Sequence, residues 1–249
     1  MNTMSFQDNV VIVTGASSGI GAATAIQFAK EGANVVIVAR NEKNLTTIAE
    51  KCAEVGNKPL IIVADLTKDD NIKQIIDTTI SHFGKLNILV NNAGKSEFVD
   101  IASEDVMEKF DEIFDINLRA AVFLTSLSVP HLIKNRGNIV NISSIGARAV
   151  LFPGNFAYCA SKAALDHFTK VVALDLAPHG VRANSISPGP VKTKAMNDDF
   201  WEAMAKRMAL GKVIEPEEIA NMILYIASDK AKSITGSSFL VDGGMLLKG

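Results

Sequence analysis

Tyr158 and Lys162 lie four residues apart in Ala157-Tyr158-Cys159-Ala160-Ser161-Lys162-Ala163-Ala164-Leu165, a stretch of small and straight-chain residues free of Pro and Gly that predicts a helix. Residues i and i+4 share one helical face, so a phenol and an ammonium point to the same side. A neighbouring cation favours phenolate over phenol, which makes Tyr158 a candidate proton donor and acceptor with a lowered pKa. Bringing a tyrosine from about 10 to about 7 takes roughly 4 kcal/mol. One unit charge at about 4 Å supplies a similar amount at an effective dielectric of roughly 20. The same spacing also describes an exposed helical pair, so the surrounding elements have to carry the reading.

Those elements alternate. Short β-branched runs (Val10 to Thr14, Val35 to Ala39, Leu60 to Ala64, Ile88 to Asn91, Asn138 to Ser143, Val181 to Ser187, Ser238 to Val241) are separated by amphipathic stretches (Ile20 to Glu31, Lys43 to Val55, Ile72 to Phe83, Glu104 to Lys134, Ala157 to Ala177, Glu217 to Ala227). Seven strands alternating with helices predict a parallel sheet covered on both faces. Val10-Val11-Ile12-Val13 and Val35-Val36-Ile37-Val38 are apolar throughout, as strands buried on both sides must be. No linker or repeat interrupts the rhythm, which predicts a single domain over 1–249; only Lys192 to Gly211 departs from it.

Composition narrows the function classes. A chain of 249 residues with 48% hydrophobic residues can bury a substantial core, and a net charge of −2 with dispersed Lys and Arg offers no basic stripe for nucleic acid. The N-terminus lacks a basic segment followed by an apolar one, and no uninterrupted apolar run reaches the roughly 18 residues of a spanning helix, so a soluble cytoplasmic protein is expected. Cys52 and Cys159 read as free structural thiols, and four scattered histidines give no metal-ligand spacing, so no catalytic metal is expected.

The first strand runs straight into Thr14-Gly15-Ala16-Ser17-Ser18-Gly19-Ile20-Gly21 and a helix, the setting in which a glycine loop presents backbone N–H groups to a pyrophosphate. Gly15 suits the tight turn, Gly19 a close approach to phosphate, and Gly21 close packing of helix on strand.

With this loop the chain resembles the short-chain dehydrogenases/reductases, particularly the NADP(H)-preferring members similar to 3-oxoacyl reductases. Their Thr-Gly-x-x-x-Gly-Ile-Gly pattern is matched at Thr14 to Gly21, followed in family order by Asn91-Asn92-Ala93-Gly94, Asn117, Asn141-Ile142-Ser143-Ser144, the Tyr158/Lys162 pair, Pro188-Gly189 and Val241-Asp242-Gly243-Gly244. The resemblance spans essentially the whole chain. It implies an α/β doubly wound Rossmann fold with a seven-stranded parallel sheet in the order 3-2-1-4-5-6-7, whose strand ends bring the motifs to one crevice.

Cofactor choice is written after the second strand. Ala39 stands where NAD-preferring relatives carry an acid, and Arg40 follows with a guanidinium suited to a 2′-phosphate, so NADP(H) is expected, with Ser17 or Ser18 adding a hydroxyl. The resemblance further implies that Asp65 and Leu66 meet the adenine and that Asn92 lies near the ribose. Val191 and Thr193 would lie near the nicotinamide carboxamide, and Asn91 serves better as a bridge between strands. Asp65 also suits an N-cap.

The implied chemistry is hydride transfer at a carbonyl or secondary alcohol, with Tyr158 as acid in reduction and base in oxidation. Ser144 would orient the substrate oxygen, with Ser143 the competing serine, and Asn117 would hold a water linking Lys162 to solvent. The loop from Ile145 to Ala157 is one residue longer than in many relatives. The segment at about 192–211, with the lone Trp201 and Met196, Met204 and Met208, is expected from the resemblance to form a substrate lid, the alternative being a surface helix whose apolar face packs on the body. With Phe98, Val150, Leu151 and Phe152 it favours a hydrophobic 3-oxoacyl, steroid-like or isoprenoid substrate. Apolar residues on several faces of the long helices suggest burial against another subunit, and the resemblance implies a homotetramer, with a dimer next. The alternative of a different class is a non-catalytic dinucleotide sensor or scaffold on the same fold.

Overall fold

Val and Ile dominate the strands because β-branched side chains suit a pleated surface, and in β1 (Val10–Thr14) every residue is buried. The computed structural model describes residues 5–150, 152–193 and 196–248. In chain order, β1 is followed by α1 (Gly19–Lys30), β2 (Asn34–Ala39), α2 (Glu42–Val55), β3 (Leu60–Val63), α3 (Asp69–Phe83) and β4 (Ile88–Asn91). Next come α4 (Val106–Phe114), a π-helical turn (Asp115–Arg119), α5 (Ala120–Asn135), β5 (Asn138–Ile142), α6 (Phe156–Leu176) and β6 (Arg182–Pro188). The chain continues through α7 (Asp198–Arg207), α8 (Pro216–Ala227), β7 (Ser238–Val241) and the short α9 (Met245–Lys248).

The seven strands form one parallel sheet in the expected order, β3-β2-β1-β4-β5-β6-β7. The order reverses beside β1, which pairs with β2 through Val11↔Val35 and with β4 through Val11↔Ile88. Alternation along β1 feeds two cores: Val11 and Val13 pack with Phe28, Leu45 and Ile223 on one face, and Val10 and Ile12 pack with Ile72, Leu124 and Ile139 on the other. Ligands in such sheets bind outside the carboxyl ends of the strands at the reversal point.

Glu104 to Lys134, expected as one helix, is instead α4 and α5 joined by the π-helical turn that carries Asn117. By length and composition the run Val106–Asn135 could cross a membrane. In the fold it contributes Ile113, Leu124 and Leu132 to the buried interior.

Candidate active site

The glycine loop is shaped by what it cannot accommodate. Gly15 has φ +66°, and a Cβ there would lie 2.9 Å from the Ala93 Cα; one on Gly21 would lie 2.4 Å from the Gly15 carbonyl oxygen. Gly19 also has a positive φ, and Ser18 caps α1 with its side chain unused by the helix. Ser17, Ser18 and Gly19 line a cavity of about 880 Å³ shared with Thr193 and Trp201. Backbone donors at a helix start, free hydroxyls and a cradle closed to side chains fit a pyrophosphate. Ile20 packs against the core behind the loop.

Asn92 ties the loop to β4: its Nδ2 donates to the Thr14 carbonyl at 2.8 Å and to that of Gly15 at 3.3 Å. Asn91 bridges as expected, donating to Asn141 Oδ1 at 2.9 Å and to Thr125 Oγ1 at 3.1 Å. Arg40 is exposed beyond β2, and its charge helps hold the Asp65 carboxyl below the usual range, after the hydrogen bond from the Thr67 backbone. Asp65 Oδ1 accepts from Thr67 N at 3.0 Å and Thr67 Oγ1 at 2.9 Å; the N-cap of α3 is Lys68, so Asp65 braces the turn before the helix instead. The Leu66 side chain is 6% exposed and belongs to the core, leaving the cofactor only its backbone. Val191 forms a bridge with Ile214, and the Thr193 methyl lies 3.9 Å from where a Gly19 Cβ would stand.

At the neighbouring strand ends, Ser144, Tyr158 and Lys162 come together. A hydrogen bond joins Tyr158 to Ser144 and draws the phenol pKa down, but burial outweighs it and pushes Tyr158 above its ordinary value. The expectation of a lowered tyrosine pKa is therefore not met in the structure. The Lys162 ammonium lies 5.8 Å from the centre of the Tyr158 ring and donates to the Ile142 carbonyl at 2.8 Å. Burial lowers its own pKa to about 8, against which the Asp166 charge pulls upward. Ser143 is turned away, donating to the Lys162 carbonyl at 3.2 Å, whereas Ser144 Oγ accepts from Gly146 N at 3.0 Å.

Asn117 is 1% exposed. Its Oδ1 accepts from Lys95 N at 2.7 Å, and its Nδ2 donates to the Lys95 carbonyl at 2.9 Å and to Ser161 Oγ at 3.0 Å. Ser161 donates in turn to the Tyr158 carbonyl at 2.7 Å. Gly94 lies between: a Cβ there would stand 3.1 Å from Asn117 Oδ1 and 3.3 Å from Lys162 Nζ. Sequence reasoning missed Ser161 and Lys95. The first was legible as the i+3 neighbour of Tyr158; the second carried no signal, because its backbone makes the contact.

The loop after Ser144 folds into a 3-10 turn (Ile145–Ala147), and the Gly154 carbonyl, at a residue with φ +74°, accepts from Val99 N at 2.8 Å. Phe152 meets Phe98 edge to face at 6.1 Å and carries the Arg207 guanidinium at 5.1 Å, so α7 reaches over this loop. Trp201, Met204 and Met208, expected to line a lid, are buried. Met196 is exposed, and Leu151, Lys194 and Ala195 lie outside the described residues. Among the described residues no cluster of His, Cys, Asp and Glu suited to a metal ion occurs.

A doubly wound sheet with this glycine loop at its reversal point is the architecture of a dinucleotide-binding protein. Comparison with known proteins specifies the class. A family model described as enoyl-(acyl carrier protein) reductase matches residues 15–246. The chain is 34% identical over 251 residues to the 3-oxoacyl-[acyl-carrier-protein] reductase of Thermotoga maritima, covering 98% of this chain and 100% of the relative. A short-chain dehydrogenase/reductase of Caenorhabditis elegans, solved with cofactor, is 38% identical with a TM-score of 0.91, covering 97% and 96% of the two chains. L-Sorbose reductase of Gluconobacter frateurii, solved with NADPH and L-sorbose, is 32% identical with a TM-score of 0.91 over 98% of each chain. The chain belongs to the short-chain dehydrogenase/reductase family and is a dehydrogenase/reductase acting on CH–OH or C=O groups. Members of this family use a nicotinamide cofactor.

Proposed function

We propose that this protein is an NADP(H)-dependent carbonyl reductase or alcohol dehydrogenase of the cytoplasm, acting as a single domain on a hydrophobic small molecule. The observation that carries the reading is the convergence of Ser144, Tyr158 and Lys162, with Asn117 tied through Ser161 to the Tyr158 backbone, beside a loop closed to side chains.

The nicotinamide, when bound, supplies or accepts the hydride. Gly15, Ser17, Ser18, Gly19, Ile20 and Gly21 hold the pyrophosphate against the start of α1, and Arg40 takes the 2′-phosphate. Asp65, the Leu66 backbone and Asn92 serve the adenosine, and Val191 and Thr193 the carboxamide. Ser144 orients the substrate oxygen, and Tyr158 gives its proton to that oxygen in reduction or takes it in oxidation. Lys162, charged below about pH 8, favours the phenolate once its ammonium turns from Ile142 toward Tyr158. Asn117 holds the water through which Lys162 exchanges protons with solvent.

Support for NADP(H) comes from exposed Arg40 beyond β2 and the absence of an acid at Ala39. An apolar substrate is favoured by Phe98 and Val150, 61% and 87% exposed on the loops beside the site. The relatives named above include enzymes of a 3-oxoacyl group and of a sugar, so substrate class follows from these walls and not from kinship. The test is steady-state turnover of NADPH and NADH with a panel of apolar ketones, for the wild type and Arg40→Asp. Turnover preferring NADPH, reversed by the substitution, is expected. An unchanged cofactor ratio would remove Arg40 from the phosphate site, and nucleotide binding without turnover would favour the sensor.

A further inference from the structure

We propose that Lys95 is a positioning residue for the proton path: a four-membered ion-pair cluster fixes its backbone, and its backbone fixes Asn117. Lys95 is the residue on which Asn117 depends most, because it receives one Asn117 hydrogen bond and gives another through main-chain atoms at 2.9 and 2.7 Å. Those atoms follow β4 on a coil segment, where nothing in the secondary structure restrains them.

The side chain of Lys95 supplies the restraint. Its Nζ lies 2.5 Å from Glu112 Oε2 and 2.6 Å from Glu97 Oε2. Lys109 closes the ring, 3.2 Å from Glu97 and 3.6 Å from Glu112. Lys109 and Glu112 belong to α4, whose last turn runs directly into the π-helical turn bearing Asn117. The cluster thus bolts the coil that holds Asn117 to the helix that carries it. The far end of the π turn is held separately: Arg119 makes a bidentate pair with Asp69 at the start of α3, at 2.7 and 2.9 Å. Each cluster carboxyl is held below its usual range by the lysine facing it, and all four side chains stay ionised near neutral pH.

Half-exposed ion pairs contribute little to global stability one by one, but in a shared cluster each new pair orders groups that are already partly fixed. The π turn gives that order a purpose. An i→i+5 segment inside a helix is held by local tertiary contacts and aims side chains that a regular helix would not. Here the aimed side chain is Asn117, and a small misplacement of such a group costs rate while leaving the fold intact.

The inference rests on the role given to Asn117 above, and the experiment separates the two. Lys95→Met is expected to lower kcat about tenfold, with KM for NADPH and the thermal midpoint little changed, and to shift the pH profile of kcat. Lys95→Arg should restore both. In an Asn117→Ala background Lys95→Met should have no further effect, since its action passes through Asn117. In the ligand-free protein the Asn117 side-chain amide protons should exchange faster with solvent in Lys95→Met than in the wild type. Should Lys95→Met fold poorly, Glu112→Gln removes two of the four pairs and is expected to act the same way. Wild-type kcat, pH profile and amide exchange in Lys95→Met, with Asn117→Ala impaired, would overturn the clamp alone. Normal turnover by Asn117→Ala would overturn the role of Asn117 and this inference with it.

Discussion

Lys162 is 4% exposed, its ammonium sits on the Ile142 carbonyl, and burial brings its pKa from 10.5 to about 8. That fall corresponds to about 3 kcal/mol by which the charged group weakens the folded state. Below about pH 8 folded and unfolded chains both carry the proton, and the penalty is fully present. Between about 8 and 10.5 the unfolded chain binds more protons than the folded one, so stability from this group rises with pH. Lys162→Met should accordingly raise the thermal midpoint at neutral pH, with a gain that shrinks as pH rises through that window, while turnover is lost throughout. Melting curves at about pH 7 and about pH 10 check this, and a gain independent of pH would detach the effect from the ammonium. Tyr158→Phe removes the proton but keeps the ring, so nucleotide affinity should persist while kcat falls about 10²- to 10⁴-fold. Ser144→Ala should cost far more rate than Ser143→Ala, because Ser144 bonds Tyr158 whereas Ser143 is spent on the α6 backbone.

Among elements, the strands and the glycine loop were legible because their causes are local: runs of Val and Ile mark strands buried on both faces, and Gly15 and Gly21 stand where a Cβ would collide. Asn117 was placed by its register with the other motifs. The π-helical turn beneath it was not legible, since it depends on bonds to Lys95 and Ser161 made across the fold. Asp65 likewise suited an N-cap by its neighbours, yet Thr67 claims its carboxylate one turn earlier. Trp201 and Met204 of α7 illustrate an apolar signal with two readings: the same residues suited a lid over substrate or a surface helix packed on the body, and both are buried. Gly94 joins these elements. Its would-be Cβ crowds Asn117 Oδ1, which is fixed, and Lys162 Nζ, which can yield. Gly94→Ala should therefore reduce kcat about tenfold with nucleotide affinity little changed, and steady-state kinetics with nucleotide titration check that split. A loss confined to nucleotide affinity would place the crowding elsewhere.

At the scale of the molecule, the surface keeps apolar groups that its own core does not cover. Val171 and Leu174, three residues apart on α6, are 47% and 76% exposed; Met107 on α4 is 61% exposed and Val122 on α5 36%. Leu240, 39% exposed, lies on β7, the last strand of the sheet, with Leu247 at 88% just beyond it. An apolar helical face and an open sheet edge are two different surfaces, and two isologous contacts generate a tetramer of dihedral symmetry. A homotetramer is accordingly our proposal, with a dimer the state that remains when either contact is lost. Leu174→Glu buries a charge at the helical contact and Leu240→Lys does so at the edge, so each should convert the tetramer to dimers, and the double variant to monomers. Light scattering at about micromolar concentration reads the outcome directly. A monomeric wild type would reject the assembly, and a tetramer unmoved by both substitutions would assign it to other surfaces.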